Sequence, residues 1–348
     1  MIIDAHAHLV APESLYGFRS MLQVSNGLHH IVKPSVSDEE LARSAARNVA
    51  VMDSVGTDMQ LLSPRPFMLW HSHPRVQDVQ KWVQANNDLI ARTVALHPTR
   101  FRGVAGLPQV SGQPITIVFD EMDRCLDELG FVGVLVNPDP GEGDGKTPTL
   151  GDPYWYPLYE KLVERDIPAH IHGAACYGRE NYSEHFATEE SLAITSIARS
   201  RVFQDFPTLK LMISHGGGAI PYQIGRWRAE RLGLRNLAAS QPDTLVSEIS
   251  NEPFDTTLRR FWFDTVLYNK ESLELLFKIV GADRCLFGTE RPGSGSALDP
   301  ATGRSLDDLR PVIEEINILS DADKHAIFEG NARAFYSRLK NVLEPVQR

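Results

Sequence analysis

Short apolar runs rich in β-branched residues recur along the chain, and polar or glycine-containing segments bound each of them. We identify eight such runs as candidate β-strands, at residues 2–8, 58–63, 101–107, 132–137, 167–172, 209–214, 261–266 and 284–289. In the longer stretches between them, apolar residues fall at steps of three and four, as in amphipathic helices, over 79–96, 117–129 and 273–280. The pattern therefore predicts that strands and helices alternate throughout.

Most of the strand candidates are apolar on both faces, which is typical of a parallel sheet that helices cover on all sides. A count of eight favours closure of such a sheet into a (β/α)8 TIM barrel. The main alternative is an open, doubly wound sheet. However, the first strand leads into AHLVAPES rather than the glycine-rich G-x-G-x-x-G turn that such sheets use for dinucleotides. We therefore predict an α/β fold in which residues 1–348 form one barrel domain.

Two segments are longer than ordinary barrel loops, and we expect them to be insertions beside the barrel. They span 10–37, which contains His29 and His30, and 235–257. Each is predicted to serve either as a lid over the active site or as a contact between copies of the chain in a homo-oligomer.

The composition limits the classes of partner. The 348 residues are 42% hydrophobic, and 35 basic against 45 acidic side chains give a formal charge of -10. Because no basic run is present, we expect neither nucleic acid nor an anionic membrane surface as a partner. The three cysteines lack C-x-x-C spacing, which indicates neither a disulfide framework nor a cysteine zinc site. No secretory leader or membrane-spanning stretch is apparent, so we expect a soluble cytoplasmic protein.

The first strand carries two histidines, His6 and His8, separated by one residue. Side chains two apart on a strand point to the same face, so both face the barrel interior or both face the helices. Burial among the helices would leave two imidazoles with few polar partners, which is costly. At the carboxyl end of the strand they would instead reach the mouth of the barrel, where active sites of this fold lie, and could bind one ion.

Three further polar residues close later strand candidates. His172 is the last residue of the fifth, His215 directly follows the sixth and Glu290 directly follows the eighth. In a parallel barrel all of these ends meet at one rim, so we predict a shared metal site there. Three neutral imidazoles and one carboxylate, with water in the remaining position, match a catalytic rather than a structural zinc site. His170 lies one layer deeper and is assigned a supporting role, and no catalytic role is given to the predicted loop residues His71, His73 and His185.

The chain resembles the amidohydrolase superfamily, in the branch that includes aminocarboxymuconate-semialdehyde decarboxylase. The matching segments are DAHAH at 4–8, NPDP at 137–140, YWYPLYEKLVE at 154–164, HIH at 170–172, SHGGGAIPY at 214–222, FDTV at 263–266 and EGNARAFY at 329–336. This resemblance implies a distorted barrel with one divalent ion, usually zinc, although another ion such as Mn2+ stays open. It also implies that His6, His8, His172 and the acid after strand eight hold the ion, and that His215 acts as acid or base.

One residue departs from the decarboxylase pattern, because Glu290 stands where those enzymes carry aspartate. Glutamate there resembles two narrower groups, the 4-oxalomesaconate hydratases and the zinc hydrolases that split carbon–carbon bonds in meta-cleavage products of lignin-derived biphenyls. Both groups act on anionic oxo-carboxylates from aromatic ring cleavage. The segments HIHGA, RCLFGTE and GSGSALDPATG favour the second group, although ALDPATG alone also fits the hydratases. We therefore expect carbon–carbon bond hydrolysis, with the hydratase as first alternative and a nonoxidative aromatic acid decarboxylase as the next. A barrel that binds metal without catalysis is a further alternative.

The expected chemistry needs groups that move protons and groups that bind an anion. A bound zinc ion lowers the pKa of its water and polarises a carbonyl, and His215 or Glu290 would move protons as catalytic residues. Arginine binds carboxylates in bidentate geometry. The predicted substrate-binding residues are therefore Arg65, Arg226 and Arg291, together with the hydrogen-bonding residues Asn137 and Tyr182.

Tyr182 is predicted to lie in the loop after His172. Hydratases of this type use a loop tyrosine in this neighbourhood, but the better-aligned position in this chain is Phe186. A phenylalanine there would leave the hydratase without a proton donor, which favours the hydrolase.

Overall fold

The computed structural model describes residues 1–28, 32–174, 181–241 and 252–339. Eight parallel strands form one sheet in which each strand pairs with the next along the chain. The strands are β1 (Ile3–His8), β2 (Met59–Ser63), β3 (Phe101–Gly106), β4 (Gly133–Val136), β5 (Ala169–Ile171), β6 (Leu211–Ile213), β7 (Trp262–Asp264) and β8 (Cys285–Leu286). Each lies within one of the eight predicted runs, and the prediction of a (β/α)8 barrel is confirmed.

The backbone that follows β8 completes the ring beside β1. The amide of Ala5 donates to the carbonyl of Phe287 at 2.8 Å, and the amide of Glu290 donates to the carbonyl of His6 at 2.7 Å. Because the Glu290 amide takes part in this closure, its side chain is held directly beside the histidines of β1. On the other side of β1, the register with β2 shifts between Asp4 and Ala7.

Helices follow most strands and cover the outside of the barrel. They are α1 (Glu13–Val24), α2 (Asp38–Val55), α3 (Val76–Leu96), α4 (Phe119–Asp123), α5 (Tyr156–Glu164), α6 (Tyr182–Ala198), α7 (Val202–Asp205), α8 (Ile224–Ser240), α9 (Phe254–Leu258), α10 (Lys270–Val280), α11 (Arg310–Glu314), α12 (Asp321–His325) and α13 (Asn331–Phe335). The predicted helices 79–96 and 273–280 are confirmed as α3 and α10. The helix predicted over 117–129 is a composite, because α4 is preceded by a 3-10 turn and followed by a π-helical turn at Arg124–Glu128.

Helix α6 corrects one expectation, since Tyr182 and His185 lie in this helix rather than in a loop. The helix starts with a capping box in which the Asn181 side chain accepts from the amides of Ser183 and Glu184, and Glu184 accepts from the amide of Asn181. Residues four apart on a helix share a face. Tyr182 therefore lies on the same face of α6 as Phe186, one turn later, and Glu190, two turns later.

The two predicted insertions contain helix where they are described. Helix α1 occupies part of 10–37 and packs beside α3, where the rings of Phe18 and Trp82 stack at 6.4 Å. His29 and His30 lie outside the described residues, as does 242–251 within the second insertion. Among the helices that the structure describes, none combines the length and apolar character needed to cross a membrane.

Apolar packing occupies the amino-terminal end of the barrel. Tyr336, which follows α13, packs so closely on Gly133 at the start of β4 that a Cβ there would lie 2.7 Å from the tyrosine ring. Ile3, Phe335 and Leu339 belong to the same buried cluster. The polar side chains of the strands accordingly gather at the opposite, carboxyl-terminal end, which is where this fold places its active sites.

Candidate metal centre

Four residues from distant parts of the chain meet at the carboxyl ends of the strands. His6 and His8 come from β1, His172 follows β5, and Glu290 follows β8. All four are buried, and one nitrogen or oxygen atom of each lies within 4.8 Å of the corresponding atoms of the others. The structure thus brings together the four side chains that the sequence analysis predicted as metal ligands.

The three histidines of this set are oriented in the same way, because each uses its Nδ1 in a hydrogen bond. The acceptors are Asp264 Oδ2 for His6 at 2.6 Å, Ser63 Oγ for His8 at 2.9 Å and the Gly173 carbonyl for His172 at 2.6 Å. A carboxylate and a carbonyl can only accept, so Nδ1 of His6 and of His172 carries the proton and the lone pair lies on Nε2. The Ser63 hydroxyl donates to the Ala7 carbonyl at 3.4 Å, which leaves its oxygen to accept from Nδ1 of His8 in the same way. Partners of this kind typically orient histidines that bind metals.

The Nε2 atoms converge on one buried point. Those of His6 and His8 lie 3.4 Å apart, and that of His172 is buried without a hydrogen-bond partner. Burial holds the pKa of both His8 and His172 well below its usual value, so these rings are neutral. Converging lone pairs without a donor are costly in a buried site. A divalent cation would satisfy all of them together with the Glu290 carboxylate, and the residues present therefore fit a metal ion.

His215 lies beside this set and links it to a buried acid. Its Nδ1 contacts Glu190 Oε1 at 2.8 Å and its Nε2 contacts Glu290 Oε1 at 3.3 Å. Burial acts to lower the pKa of His215, but the two carboxylates outweigh it and raise that pKa well above its usual value. The ring also lies parallel to that of Phe186, with 5.4 Å between centroids. His215 is therefore held in a fixed orientation next to the fourth predicted ligand.

A cavity of about 480 Å³ opens above the four predicted ligands. It is lined by His8, Arg65, Pro66, His172, Tyr182, Phe186, Glu290, Pro292, Gly293 and Ser294. Two of the predicted substrate-binding residues thus face it. Arg65 Nη2 donates to the Pro292 carbonyl at 2.8 Å, and the Tyr182 hydroxyl shares a hydrogen bond with Ser294 Oγ at 2.9 Å. The lining thus combines a cationic group, a phenol and three of the four predicted metal ligands, His8, His172 and Glu290.

Comparison with known proteins is consistent with this site. The family model described as Amidohydrolase matches residues 3–338. The chain belongs to the amidohydrolase family. It is 37% identical to a 2-keto-4-carboxy-3-hexenedioate hydratase from Sphingobium sp. strain SYK-6 over 350 residues, 97% of each chain.

Two further proteins are similar to this amidohydrolase in structure or in sequence. The crystal structure of a 4-oxalomesaconate hydratase from Rhodopseudomonas palustris matches it with a TM-score of 0.83 at 34% identity, over 99% of this chain and 98% of that chain. A 2-amino-3-carboxymuconate-6-semialdehyde decarboxylase from Dictyostelium discoideum is 29% identical over 80% of this chain and 72% of its own. The resemblance to this superfamily, stated from sequence motifs, is confirmed.

Three predicted substrate-binding residues of the amidohydrolase are not among those that line the cavity. Arg291 pairs with Asp307, with its Nε at 2.9 Å from Oδ2. Asn137 donates from Nδ2 to His71 Nδ1 at 3.2 Å and its backbone pairs with the Gln109 side chain. Arg226 is exposed on α8. The geometry gives their predicted roles no support, because Arg291 is paired with Asp307, Asn137 is held by His71 and Gln109, and Arg226 is exposed on α8.

The histidines that were assigned no catalytic role are more buried than expected. His71 is buried and its Nε2 donates to the Leu107 carbonyl at 2.9 Å. His73 is half-buried, and its ring is tilted against that of Trp70 with 3.8 Å between centroids. His170, which was assigned a supporting role, hydrogen bonds to Ser214 Oγ at 2.7 Å and its ring lies 4.5 Å from that of His6. His71 and His73 do lie in a loop, as predicted, but both pack against neighbouring residues.

Three residues of the site were not predicted from the sequence. Asp264 ends β7 and contacts His6, and only its place at the end of a predicted strand could have signalled it. Glu190 lies on α6, two turns after Tyr182, and no local pattern distinguishes it from other helical acids. Tyr268 donates to Glu290 Oε2 at 2.5 Å from the segment between β7 and α10.

Left-handed backbone occurs at three residues of the site. Of the seven described non-glycine residues with positive φ, His215, Tyr268 and Glu290 lie here, with φ values of 48°, 59° and 60°. Such left-handed conformations are uncommon for residues with a Cβ and often mark functional sites. The turn after His215 continues through three glycines with positive φ, and a Cβ on Gly218 would lie 2.3 Å from the Ala187 carbonyl oxygen. The glycines therefore allow α6 to approach the site closely.

Proposed function

We propose that this amidohydrolase is a metal-dependent hydratase that adds water to the carbon–carbon double bond of an unsaturated oxo-carboxylate from aromatic ring cleavage. The observation that carries the proposal is the 37% identity to the Sphingobium hydratase, over 97% of both chains. Hydration was the first alternative to carbon–carbon bond hydrolysis in the sequence analysis. The Sphingobium protein and the Rhodopseudomonas protein, at 37% and 34% identity, are both named as hydratases, so the similarity supports the alternative instead.

We propose zinc as the ion, held by Nε2 of His6, His8 and His172 and by a carboxylate oxygen of Glu290. Three neutral imidazoles and one carboxylate are typical zinc ligands, and Mn2+ is the second candidate. When bound, such an ion polarises the carbonyl of the substrate and lowers the pKa of a water molecule toward about 7. The orientation of the three Nδ1 atoms by their acceptors supports this assignment.

The proposed substrate is a keto acid whose carbonyl is conjugated with the double bond, as in the name of the Sphingobium relative. In such a compound the oxygen of water adds to the carbon β to the carbonyl, and a proton adds to the carbon α to it. No bond between carbons breaks. The protein therefore has to remove one proton from water and deliver one to carbon.

We assign removal of the proton from water to Nε2 of His215. The two carboxylates raise the pKa of this ring, and a bound divalent cation would lower it again through its positive charge, so that Nε2 could accept the proton. The Nδ1 of His215 is held by Glu190, so proton exchange at the cavity takes place at Nε2, which faces Glu290 Oε1. We assign delivery of the proton to the Tyr182 hydroxyl, which lines the cavity. Phe186 stands where the hydratases are expected to carry a tyrosine. Tyr182 can take over this role, because it lies one turn earlier on the same face of α6 and the centroids of the two rings are 5.4 Å apart.

Arg65 is the proposed partner of a substrate carboxylate. It is the only arginine or lysine among the described residues that line the cavity. Its Nη2 donates to the Pro292 carbonyl, which directs the guanidinium along the cavity wall. A guanidinium can add a charge-assisted hydrogen bond to a carboxylate there.

The test is to supply the zinc-loaded protein with 2-keto-4-carboxy-3-hexenedioate, a 2-hydroxy-6-oxo-dienoate and 2,6-dihydroxybenzoate, each in a separate incubation. We expect the first compound to gain the mass of one water and lose its near-ultraviolet absorbance, with no fragments. The His172→Ala variant serves as the control for spontaneous hydration. Two fragments from the dienoate, or carbon dioxide from the benzoate, without hydration of the first compound would contradict the proposal.

A further inference from the structure

Tyr268 contacts the carboxylate of Glu290 from the segment between β7 and α10. Its hydroxyl donates to Oε2 at 2.5 Å. The other oxygen, Oε1, faces Nε2 of His215 at 3.3 Å and Nε2 of His172 at 3.9 Å. The two oxygens therefore have separate surroundings, because the tyrosine occupies Oε2 and only Oε1 faces the imidazoles.

Two glycines of the segment 293–296 make room for this hydrogen bond. A Cβ on Gly295 would lie 2.3 Å from Cε1 of Tyr268, and a Cβ on Gly293 would lie 2.9 Å from Oε2 of Glu290. Both distances are well below the roughly 3.5–4.0 Å of a carbon contact. Any other residue at these positions would displace the ring or the carboxylate. The GSGS segment thus has a physical role beside the cavity that it lines.

The backbone on both sides of the hydrogen bond is strained. Tyr268 has a φ of 59° and Glu290 a φ of 60°. Conformations of this kind persist where the surrounding structure holds them in place. The Tyr268 hydroxyl joins the two strained residues directly, which indicates that the position of the carboxylate depends on the tyrosine.

We propose that Tyr268 is a positioning residue for Glu290, whose hydroxyl holds Oε2 so that Oε1 alone is presented to the metal ion and to His215. A glutamate has one more rotatable bond than an aspartate and reaches about 1.5 Å further, so it loses more conformational freedom on binding a metal. The tyrosine restricts that freedom in advance. This inference rests on the proposed metal-dependent function. It explains how this chain can hold a glutamate in place at the position where the decarboxylases of the branch carry aspartate.

The test compares zinc binding by wild type, Tyr268→Phe and Gly295→Ala, measured by competition with a chromophoric chelator. Tyr159→Phe is the matched control, because this buried hydroxyl donates to the Leu150 carbonyl at 2.7 Å, away from the site. We expect both site variants to bind zinc about 10–100-fold more weakly, as is typical when the partner of a metal ligand is removed. The visible spectrum of the Co2+-loaded Tyr268→Phe protein should also change, while that of Tyr159→Phe should match wild type.

A double variant separates positioning from a general effect on the fold. In a Glu290→Asp background the shorter carboxylate cannot contact the tyrosine and the metal together, so adding Tyr268→Phe should weaken zinc binding no further. An equal loss in both backgrounds, or wild-type zinc affinity and cobalt spectrum in folded Tyr268→Phe, would overturn the inference. Because the readout is metal binding, it is independent of the substrate, whereas a wild-type protein that binds no divalent ion would overturn both this inference and the proposed function.

Discussion

Replacement of Asp264 by asparagine is expected to weaken the metal site although the two side chains have the same shape. Asp264 is fully buried, with 0% exposure. Its Oδ2 accepts from His6 Nδ1 at 2.6 Å, and its Oδ1 accepts from the amides of Gly216 and Val266, both at 3.1 Å. All three neighbours are donors. An asparagine has only one oxygen, so its NH2 group must face at least one of them.

The two orientations of the amide have different consequences. If the NH2 group faces the backbone, two buried amides lose their acceptor, which costs about 1–3 kcal/mol of unfolding free energy for each unsatisfied donor. If it faces His6, the imidazole can accept only by moving its proton to Nε2. That tautomer removes the lone pair directed at the metal, and we expect zinc affinity to fall about 10–100-fold.

Zinc affinity and urea denaturation of the metal-free protein together distinguish these outcomes. Weaker zinc binding with unchanged stability indicates the altered tautomer, and lost stability indicates unsatisfied amides. Asp283→Asn is the control, because Asp283 is largely exposed and its ion pair with Arg259 lies on the surface. An Asp264→Asn protein with wild-type zinc affinity and wild-type stability would refute the argument that Asp264 sets the His6 tautomer.

Four further substitutions test three separate parts of the site. His172→Ala or Glu290→Ala should abolish stoichiometric zinc, measured by elemental analysis, while circular dichroism stays that of the folded barrel; retained zinc in both would contradict the ligand assignment. Glu190→Gln should lower kcat about 100-fold with zinc content unchanged, because His215 loses the charged partner that orients it. An unaltered kcat would show that Glu190 does not orient His215 for catalysis. Arg65→Ala should raise KM about 10–100-fold by removing a charged hydrogen bond of about 1.5–3 kcal/mol; an unaltered KM would exclude Arg65 as the carboxylate partner.

Residue patterns were a weaker guide to the reaction than to the superfamily or to the class of substrate. The motifs indicated the superfamily and the class of oxo-carboxylate, but the preference for carbon–carbon hydrolysis over hydration depended on short segments such as HIHGA and GSGSALDPATG. Gly293 and Gly295 in the latter segment pack against Glu290 and Tyr268. Such packing serves any reaction that uses the same carboxylate. A segment of this kind is therefore a weak guide to which bond of the substrate changes.

Local signals were present for one element that the sequence analysis misplaced. Asn181 and Glu184 form the capping box that starts α6, and the spacing of these two residue types is visible in the sequence. Reading that signal would have placed Tyr182 and Phe186 on one helical face. It would also have weakened the argument that Phe186 excludes a tyrosine from the same part of the cavity.

The sequence by itself determined the barrel and the set of predicted metal ligands. Strand period, the count of eight runs and the histidines and acid at the ends of the first, fifth, sixth and eighth runs are local properties, and parallel strands necessarily bring their carboxyl ends to one edge. That is why His6, His8, His172 and Glu290 could be grouped without coordinates.

Only the tertiary structure decided which side chains support that set. Glu190 reaches His215 because of how α6 is rotated against the barrel, and Tyr268 reaches Glu290 because two glycines leave space for its ring. Arg291 adjoins Glu290 in sequence yet pairs with Asp307 instead of facing the cavity. The direction of a side chain depends on backbone angles and on packing between distant segments, and neither is encoded in the local pattern of polar and apolar residues.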